Sequence, residues 1–478
     1  MNRRLVVALG LLVLVTGVTA WTSNGYFHTD EHYQVLEFAS LKLGRTAVSE
    51  LPWEYGARLR PWMQPWLYYV LMRGLIWAGV SDPFDLAFGC RLVSGLFSCG
   101  ALAAFAGSLF PQQGEAKRYV GTLALFGFLP YLFVRTSSEN LSGACVAFAC
   151  ALVLGQGRAR WVLCGVFLGV AFEARYQSVF LGAGLVLWLA LRARARLLHL
   201  ALLVGGGLLP VLAAVCIDRW GYGEWCFPPW NYVRENLFHG VADQFGKSPV
   251  YAYSYLVVAN IFFPSAALLV VAMVLSWIRH PGHPVTWMTV PFVLVHSLIA
   301  HKEERFLFPM VLLATSFPLH AFGLGAKRCL VKVVSVPSLA GMVFLAIYPF
   351  GFGVHIPMER YLYRTYGEGF TGVVVGRFRP NPMYLPQRYE VTRLEDLEGL
   401  KEIVVGRGGS VNLLIETPDI AGELAGLEAT RVYSEFPFAG QGSLARLSSR
   451  VMVAYNEFGD GMALPHLAWM TLYRVELR

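Results

Sequence analysis

Residues Tyr26–Pro65 read YFHTDEHYQVLEFASLKLGRTAVSELPWEYGARLRPWMQP, and this stretch decides how the rest of the chain is read. It follows directly on an apolar run at residues 4–22, and it sets His28, Asp30, Glu31 and a Trp/Arg/Pro cluster at the end of that run. Ionisable groups kept beside a membrane-spanning run are costly, and chemistry is the usual reason for keeping them.

The surrounding chain has 478 residues, 56% of them hydrophobic and 15% charged, which is too apolar for an ordinary soluble protein. Apolar runs of spanning length recur through residues 1–350 and then stop. The formal charge of +8 comes mostly from short Arg/Lys clusters between those runs. That placement suits cytoplasmic loops and gives no basic, aromatic-interleaved stripe for nucleic acid. The eight cysteines lie mostly within apolar runs, without the spacing of a zinc site or a disulfide framework. Met1–Ala20 has the form of a signal peptide, but the acidic loop beside it favours an uncleaved signal-anchor.

Loop charge then orders the chain. With residues 4–22 spanning and Arg3-Arg4 inside, residues 23–86 form an outer loop. Residues 64–80 are apolar but carry Arg73. Reading them as an interfacial helix puts Lys117-Arg118, Arg158/Arg160 and Arg192-Arg194-Arg196 all inside. The remaining runs are 87–109, 119–134, 141–156, 161–174, 177–191, 197–216, 252–275, 285–300, 305–323 and 331–350. Together they predict an α-helical polytopic membrane protein of about 11 transmembrane helices, several shorter than the usual ~20 residues, as expected around a cavity. HTDE (28–31), RTSSEN (135–140), EARYQS (173–178), the loop 217–251 and HKEERF (301–306) all fall on the outer face. Their gathering predicts one outward-facing active site.

Residues 351–478 are charged and Gly-rich, with strand-like runs at 373–376, 402–406, 412–416, 430–436 and 449–455. Helix-compatible DLEGLKE and IAGELAGLE alternate with them. They predict a small extracytoplasmic α/β domain, with residues 1–350 forming the membrane domain.

HTDE followed by LPWEY and RPWMQP resembles the first outer loop of the Alg9-like, GPI-type mannosyltransferases (glycosyltransferase family 22, GT-C superfamily), whose usual form is HPDE. HKEERF at 301–306 resembles a second motif of that family. The segment 217–251 resembles a third, through Asp218, Tyr222-Gly223, Asn231, Asn236, Gly240, Phe245-Gly246 and Pro249. Thr29 stands where the family has Pro, and Val250-Tyr251-Ala252-Tyr253 replaces a usual His/Trp pair.

The resemblance implies transfer of mannose, with inversion, from a polyprenyl- or dolichyl-phosphate donor to a hydroxyl of a glycan or glycolipid. It implies Asp30 as the base, with Glu31 beside it. An acceptor hydroxyl needs a base within hydrogen-bond reach, and a partly desolvated site raises a carboxylate toward that task. The plainer reading is that Thr29 or Asp30 caps the helix that follows. Arg305 and Lys302, with Arg175 at a corner where the family has an Arg, are expected on the donor phosphate. His28, His301, Glu303, Asp218, Tyr222 and Asn231 are expected around the substrates. Ion pairs are expected between Arg135 and Glu139 and between Arg175 and Glu173.

No P-loop, dinucleotide fingerprint or DxD motif is present, and a lipid monophosphate donor calls for no metal or other cofactor. The partners are then the lipid-linked donor, the acceptor and the bilayer. A lipid-linked sugar flippase is the alternative from another class, and a same-fold transferase for another hexose the nearer one. Compact loops and Arg-rich clusters point to a bacterial inner membrane with a periplasmic site. The endoplasmic reticulum lumen is the eukaryotic equivalent.

Overall fold

The computed structural model describes residues 3–23, 25–109, 119–155, 159–241, 246–260, 265–322, 328–347, 355–367, 369–376, 380–385, 390–416, 426–435 and 470–477. Among them, Arg3–Thr22, Pro83–Leu109 and Leu197–Tyr222 are helices long and apolar enough to cross a membrane. Ser138–Leu154, Tyr176–Leu191, Ala266–Arg279, Pro284–Leu298 and Val331–Ile347 are shorter apolar helices. Val7, Leu11, Leu14, Leu198, Leu208 and Leu212 project outward from the long helices, the reverse of a soluble protein and the arrangement lipid favours.

Small residues bring the helices together, as they must where lipid tails leave no hydrophobic drive between them. A Cβ on Gly165 would stand 1.9 Å from the carbonyl oxygen of Leu203, and one on Gly206 would stand 2.3 Å from that of Val162. Arg160–Ala174 and Leu197–Tyr222 therefore meet backbone to backbone. The first helix is tied to Arg328–Ile347 by the Thr22 hydroxyl, which donates to the Ala346 carbonyl at 2.6 Å.

Several expected continuous runs are broken. Residues 305–323 form a 3₁₀ turn Glu304–Met310, then Val311–Ala314 and Phe317–Phe322, with Pro309 and Pro318 removing the donors a continuous helix needs. Within 119–134 the last turn, Leu129–Phe133, is a separate short helix. Of the run 252–275, the described residues include the helices Tyr253–Asn260 and Ala266–Arg279, and 261–264 lie outside them. Met63–Trp77 is a single helix. The loop expected from 217 begins later, because the Leu197–Tyr222 helix carries Asp218 and Tyr222 and ends on Gly223 at φ 81°.

The C-terminal part holds a five-stranded mixed sheet in the order β2-β1-β3-β5-β4. Its strands are β1 Thr371–Val375, β2 Glu390–Leu394, β3 Ser410–Ile415, β4 Leu427–Ser434 and β5 Thr471–Leu477. β1 runs parallel to both β2 and β3, while β5 is antiparallel to β3 and β4. EIVVG (402–406), expected as a strand, belongs to the helix Leu400–Gly406. Leu400 and Val404, four residues apart, bury the same face in the sheet's core. The expected strand 449–455, most of IAGELAGLE, Phe436, Phe245, Lys117, Arg118, Arg158 and Lys327 lie outside the described residues.

The sheet region reaches the first outer loop through residues 381–385. Asn381 accepts from the Tyr33 hydroxyl at 3.0 Å, and the Met383 amide donates to Glu37 at 3.0 Å. The Tyr384 ring stacks on Phe84 at 4.5 Å between centroids and on His32 at 5.3 Å.

Candidate active site

The outer loop folds as a short helix, Thr29–Glu31, continuing through a π-helical turn, His32–Leu36, into Glu37–Lys42. Neither Thr29 nor Asp30 caps it. The N-cap is His28, whose Nδ1 accepts from the Asp30 amide at 3.2 Å. That bond places the His28 proton on Nε2, which faces Glu303 Oε2 at 3.7 Å. The π-turn widens the helix next to Asp30 and Glu31, a deviation that recurs at functional sites.

Arg305 lies at the centre of the site and is 6% exposed. One Nη reaches Asp30 Oδ2 at 2.9 Å, the other stands 3.7 Å from Glu139 Oε1, and Nε donates to Glu303. Asp30, Glu303 and Glu139 thus set three carboxylates around one buried guanidinium. Burial pushes Asp30 up, and Arg305 and Arg60 more than reverse this, bringing its carboxyl to about 2. The upward shift expected for Asp30 is thus reversed: what the desolvated loop would raise, two guanidiniums lower. Glu303 is likewise pushed up by burial and held well below the usual range by His301 and Arg305.

Glu31 is 4% exposed and turns away from the centre. It accepts from the amides of Phe27 at 3.1 Å and Thr136 at 3.2 Å, and Arg135 Nη1 stands 3.8 Å away. Burial raises its pKa, and Arg135 only partly offsets that. The ion pairs expected within RTSSEN and EARYQS are exchanged between corners. Arg135 faces Glu31, and Arg175 reaches Glu139 Oε1 at 3.2 Å. Corners that are remote in sequence meet across the site, whereas Arg135 precedes the helix Ser138–Leu154 that carries Glu139, and Arg175 lies past the end of the helix Arg160–Ala174 that carries Glu173.

His301 Nε2 lies 2.7 Å from Glu303 Oε1, which completes the set around that carboxylate. Lys302 is turned aside. Its ammonium donates to the carbonyls of Ser248 at 3.0 Å and Ile299 at 2.5 Å, fastening residues 246–250 to the start of HKEERF.

Asp218, Tyr222 and Asn231 act on the loop 58–62. Asp218 accepts from the Trp62 amide at 2.7 Å, the Tyr222 hydroxyl donates to the Arg60 carbonyl at 2.7 Å, and Asn231 donates to the Arg58 carbonyl at 3.2 Å. Trp62 is fully buried against Gly221, where any Cβ would fall 2.2 Å from the indole ring. This bracing delivers Arg60 to 4.0 Å from Asp30 and 3.5 Å from Glu54. Sequence reasoning assigned no role to Arg60. Its signal was the RPW tripeptide, where a charge sits between a turn and an aromatic anchor.

Beside this ionised cluster is an apolar cavity of about 280 Å³ whose walls include Phe126, Tyr253, Met273, Leu307 and Phe308, with Glu304 at its lining. Phe308 also borders the small space shared by His28, Glu31, Glu139 and Arg305. An oily chamber and a charged centre therefore share one wall.

A bundle of broken apolar helices with its ionised corners drawn to one cluster is the GT-C membrane fold. ArnT from Cupriavidus metallidurans bound to undecaprenyl phosphate has a similar fold, with a TM-score of 0.53 at 14% identity over 86% of this chain and 93% of that one. Residues 8–373 match the Alg9-like mannosyltransferase family, and the chain belongs to that family. Mannosyltransferase APTG1 of Arabidopsis thaliana is 23% identical over 72% of this chain and 65% of its own length. GPI mannosyltransferase 3 of Yarrowia lipolytica is 27% identical over 61% of this chain and 57% of its own. The chain thus spans less than two thirds of these curated relatives.

Proposed function

We propose that the protein transfers mannose from a polyprenyl-phosphate carrier to a hydroxyl of a glycan or glycolipid, with inversion. The observation that carries this reading is the position of Arg305, salt-bridged to Asp30 at 2.9 Å while Phe308, three residues on, lines the apolar cavity. A lipid tail in that cavity brings its phosphate to the guanidinium. The fold likeness to an ArnT bound to undecaprenyl phosphate supports a lipid phosphate of this kind.

In the resting site Arg305 neutralises Asp30 and leaves it a weak base. A donor phosphate competes for the same guanidinium and draws it from Asp30, whose burial then raises its proton affinity. The acceptor hydroxyl passes its proton to Asp30. Its oxygen bonds to C1 of the mannose on the face opposite the phosphate. The C1–O bond breaks and its electron pair leaves on the polyprenyl phosphate, paired with Arg305. A β-linked donor gives an α-linked product. Glu31 stays behind Asp30, and Arg175 holds Glu139 against Arg305. His28, His301 and Glu303 orient the guanidinium. Lys302 fixes the 246–250 segment next to the phosphate, and Asp218, Tyr222 and Asn231 shape the cleft through Arg60.

The membrane domain is residues 1–350, crossing about 11 times, with the site and the 351–478 domain on the extracytoplasmic face. That face is periplasmic in a bacterial inner membrane. The test is transfer by purified protein from polyprenyl-phosphate mannose, and from the glucose and arabinose analogues, to mannose-ended lipids with EDTA present. Transfer from the mannose donor alone supports the reading. Transfer from another donor alone makes the protein a same-fold enzyme for that sugar, and binding without transfer from any donor points to a carrier role.

A further inference from the structure

A second, polar cleft lies beside Arg60 and Arg175. Its walls include Gln34, Arg60, Gln64, Tyr176, Gln177 and Tyr232. Three of these present buried polar atoms without a hydrogen-bond partner: Arg60 Nε, Gln64 Oε1 and the Tyr176 hydroxyl. Gln64 is 3% exposed, and its amide nitrogen donates to the carbonyls of Thr136 at 2.9 Å and Ser137 at 3.3 Å. Those two bonds fix which end of the amide is which and leave its oxygen to a ligand. Gln177 is held by the Tyr232 hydroxyl at 2.5 Å, and Arg60 lies over the Tyr232 ring at 6.0 Å. Buried polar atoms left unpaired forfeit their hydration without compensation, so three on one cleft call for a ligand or water that pairs them.

The unpaired set is one donor, one acceptor and one hydroxyl able to be either, which is the pairing a sugar's hydroxyls offer. The cleft's volume of about 30 Å³ holds roughly two waters. Two adjacent hydroxyls on one edge of a sugar ring replace two waters one for one. The two guanidiniums on the cleft, Arg60 and Arg175, are already engaged by Asp30, Glu54 and Glu139, which leaves little attraction for an anion. We propose that this cleft binds the acceptor, taking one edge of an uncharged sugar through two adjacent hydroxyls, with Gln64 and Arg60 as the specificity-determining residues. This rests on the transferase reading: the acceptor reaches Asp30 by way of Arg60 and the donor by way of Arg305.

The test uses the full-length protein in detergent, polyprenyl-phosphate mannose, a mannose-ended glycolipid and its monodeoxy analogues, with Gln64→Leu and Gln177→Leu. In the unaltered protein, removing the hydroxyl paired with Gln64 lowers kcat/KM for the acceptor about tenfold, the range of one uncharged hydrogen bond, and removing one paired with the charged Arg60 lowers it further. Gln64→Leu lowers it similarly for the full acceptor, leaves the donor KM unchanged, and no longer distinguishes the acceptor from one of the deoxy analogues. Lost discrimination is a readout that mere loosening of the fold does not produce. A raised donor KM with an unchanged acceptor KM, or full discrimination in both variants, overturns the assignment. Saturation-transfer NMR with methyl α-mannoside reads the cleft independently of turnover. A signal abolished by Gln64→Leu in a protein that transfers nothing keeps the sugar site and sinks the transferase. No signal from the unaltered protein, alone or with polyprenyl phosphate bound, sinks the site.

Discussion

Arg305 and Asp30 stand 2.9 Å apart, so the central cation of the site and its proposed base neutralise each other at rest. The same guanidinium also carries Glu303 and faces Glu139. Neither group is free for its proposed task until a competing anion arrives, and this arrangement orders the events: donor phosphate first, proton abstraction second.

Asp30→Asn keeps the shape of the side chain and removes the base. It is expected to lower kcat by about 10²–10⁴-fold, the usual contribution of general-base catalysis. Polyprenyl-phosphate affinity, measured by titration calorimetry, is expected to hold or tighten, since Arg305 no longer faces a carboxylate. A turnover rate within a fewfold of the original excludes Asp30 as the base.

The pH profile tests the guanidinium's grip. Arg305 and Arg60, overcoming burial, hold Asp30 at about 2 in the donor-free enzyme, so its protonation does not limit kcat/KM for the donor anywhere above pH 4. Its depressed pKa also contributes stability that is present above the unfolded value near 3.8 and lost as pH falls through about 2. Arg305→Gln leaves burial and Arg60 alone, so the acid limb of kcat/KM moves up in pH. Polyprenyl-phosphate affinity falls about tenfold or more with the loss of a charge-assisted bond. An unmoved acid limb contradicts the coupling.

Glu359, on the helix Ile356–Tyr366, provides a stability test in the sheet region. Burial raises its carboxyl to about 8, although the Asn381 amide and side chain, both donating at 2.9 Å, pull it down. The sign is that of a raised pKa. Its favourable contribution is complete below the unfolded value near 4.5 and is lost as pH rises through 8. Thermal unfolding of the full chain is expected at lower temperature at pH 9 than at pH 6, and Glu359→Gln is expected to flatten that difference.

Gly221→Ala is expected to destabilise the protein by about 1–3 kcal/mol through overpacking, because the new methyl would stand 2.2 Å from the Trp62 ring. Shifting Trp62 also moves Arg60, so acceptor kinetics should fall with stability. Gly205→Ala, on the same helix with nothing within 4 Å of its Cβ, is the control and is expected to leave acceptor kinetics unchanged and stability unchanged or slightly raised. Chemical denaturation and acceptor KM, measured side by side, check both.

The membrane class and the motif residues were legible in the chain itself. Runs of apolar residues report burial in lipid without reference to any partner, and HTDE and HKEERF are short, contiguous motifs whose meaning came from their resemblance to the family. Short apolar runs at 373–376 and 412–416 were legible from the local pattern, and they overlap the strands Thr371–Val375 and Ser410–Ile415. EIVVG (402–406) was not, because a short run with three apolar residues in a row fits either period and only the sheet beneath Leu400 and Val404 made it part of a helix.

The pairing of charges belonged to the tertiary structure. Sequence put Arg135 with Glu139 and Arg175 with Glu173, whereas folding put Arg135 with Glu31 and Arg175 with Glu139. It also reversed the shift expected of Asp30 by bringing Arg305 and Arg60 to it from 275 and 30 residues away in sequence. Residue type and local period determine which groups a chain sends to a membrane surface. Which of them meet depends on where distant helices end, and Coulomb energy, falling with distance and dielectric, is decided only there.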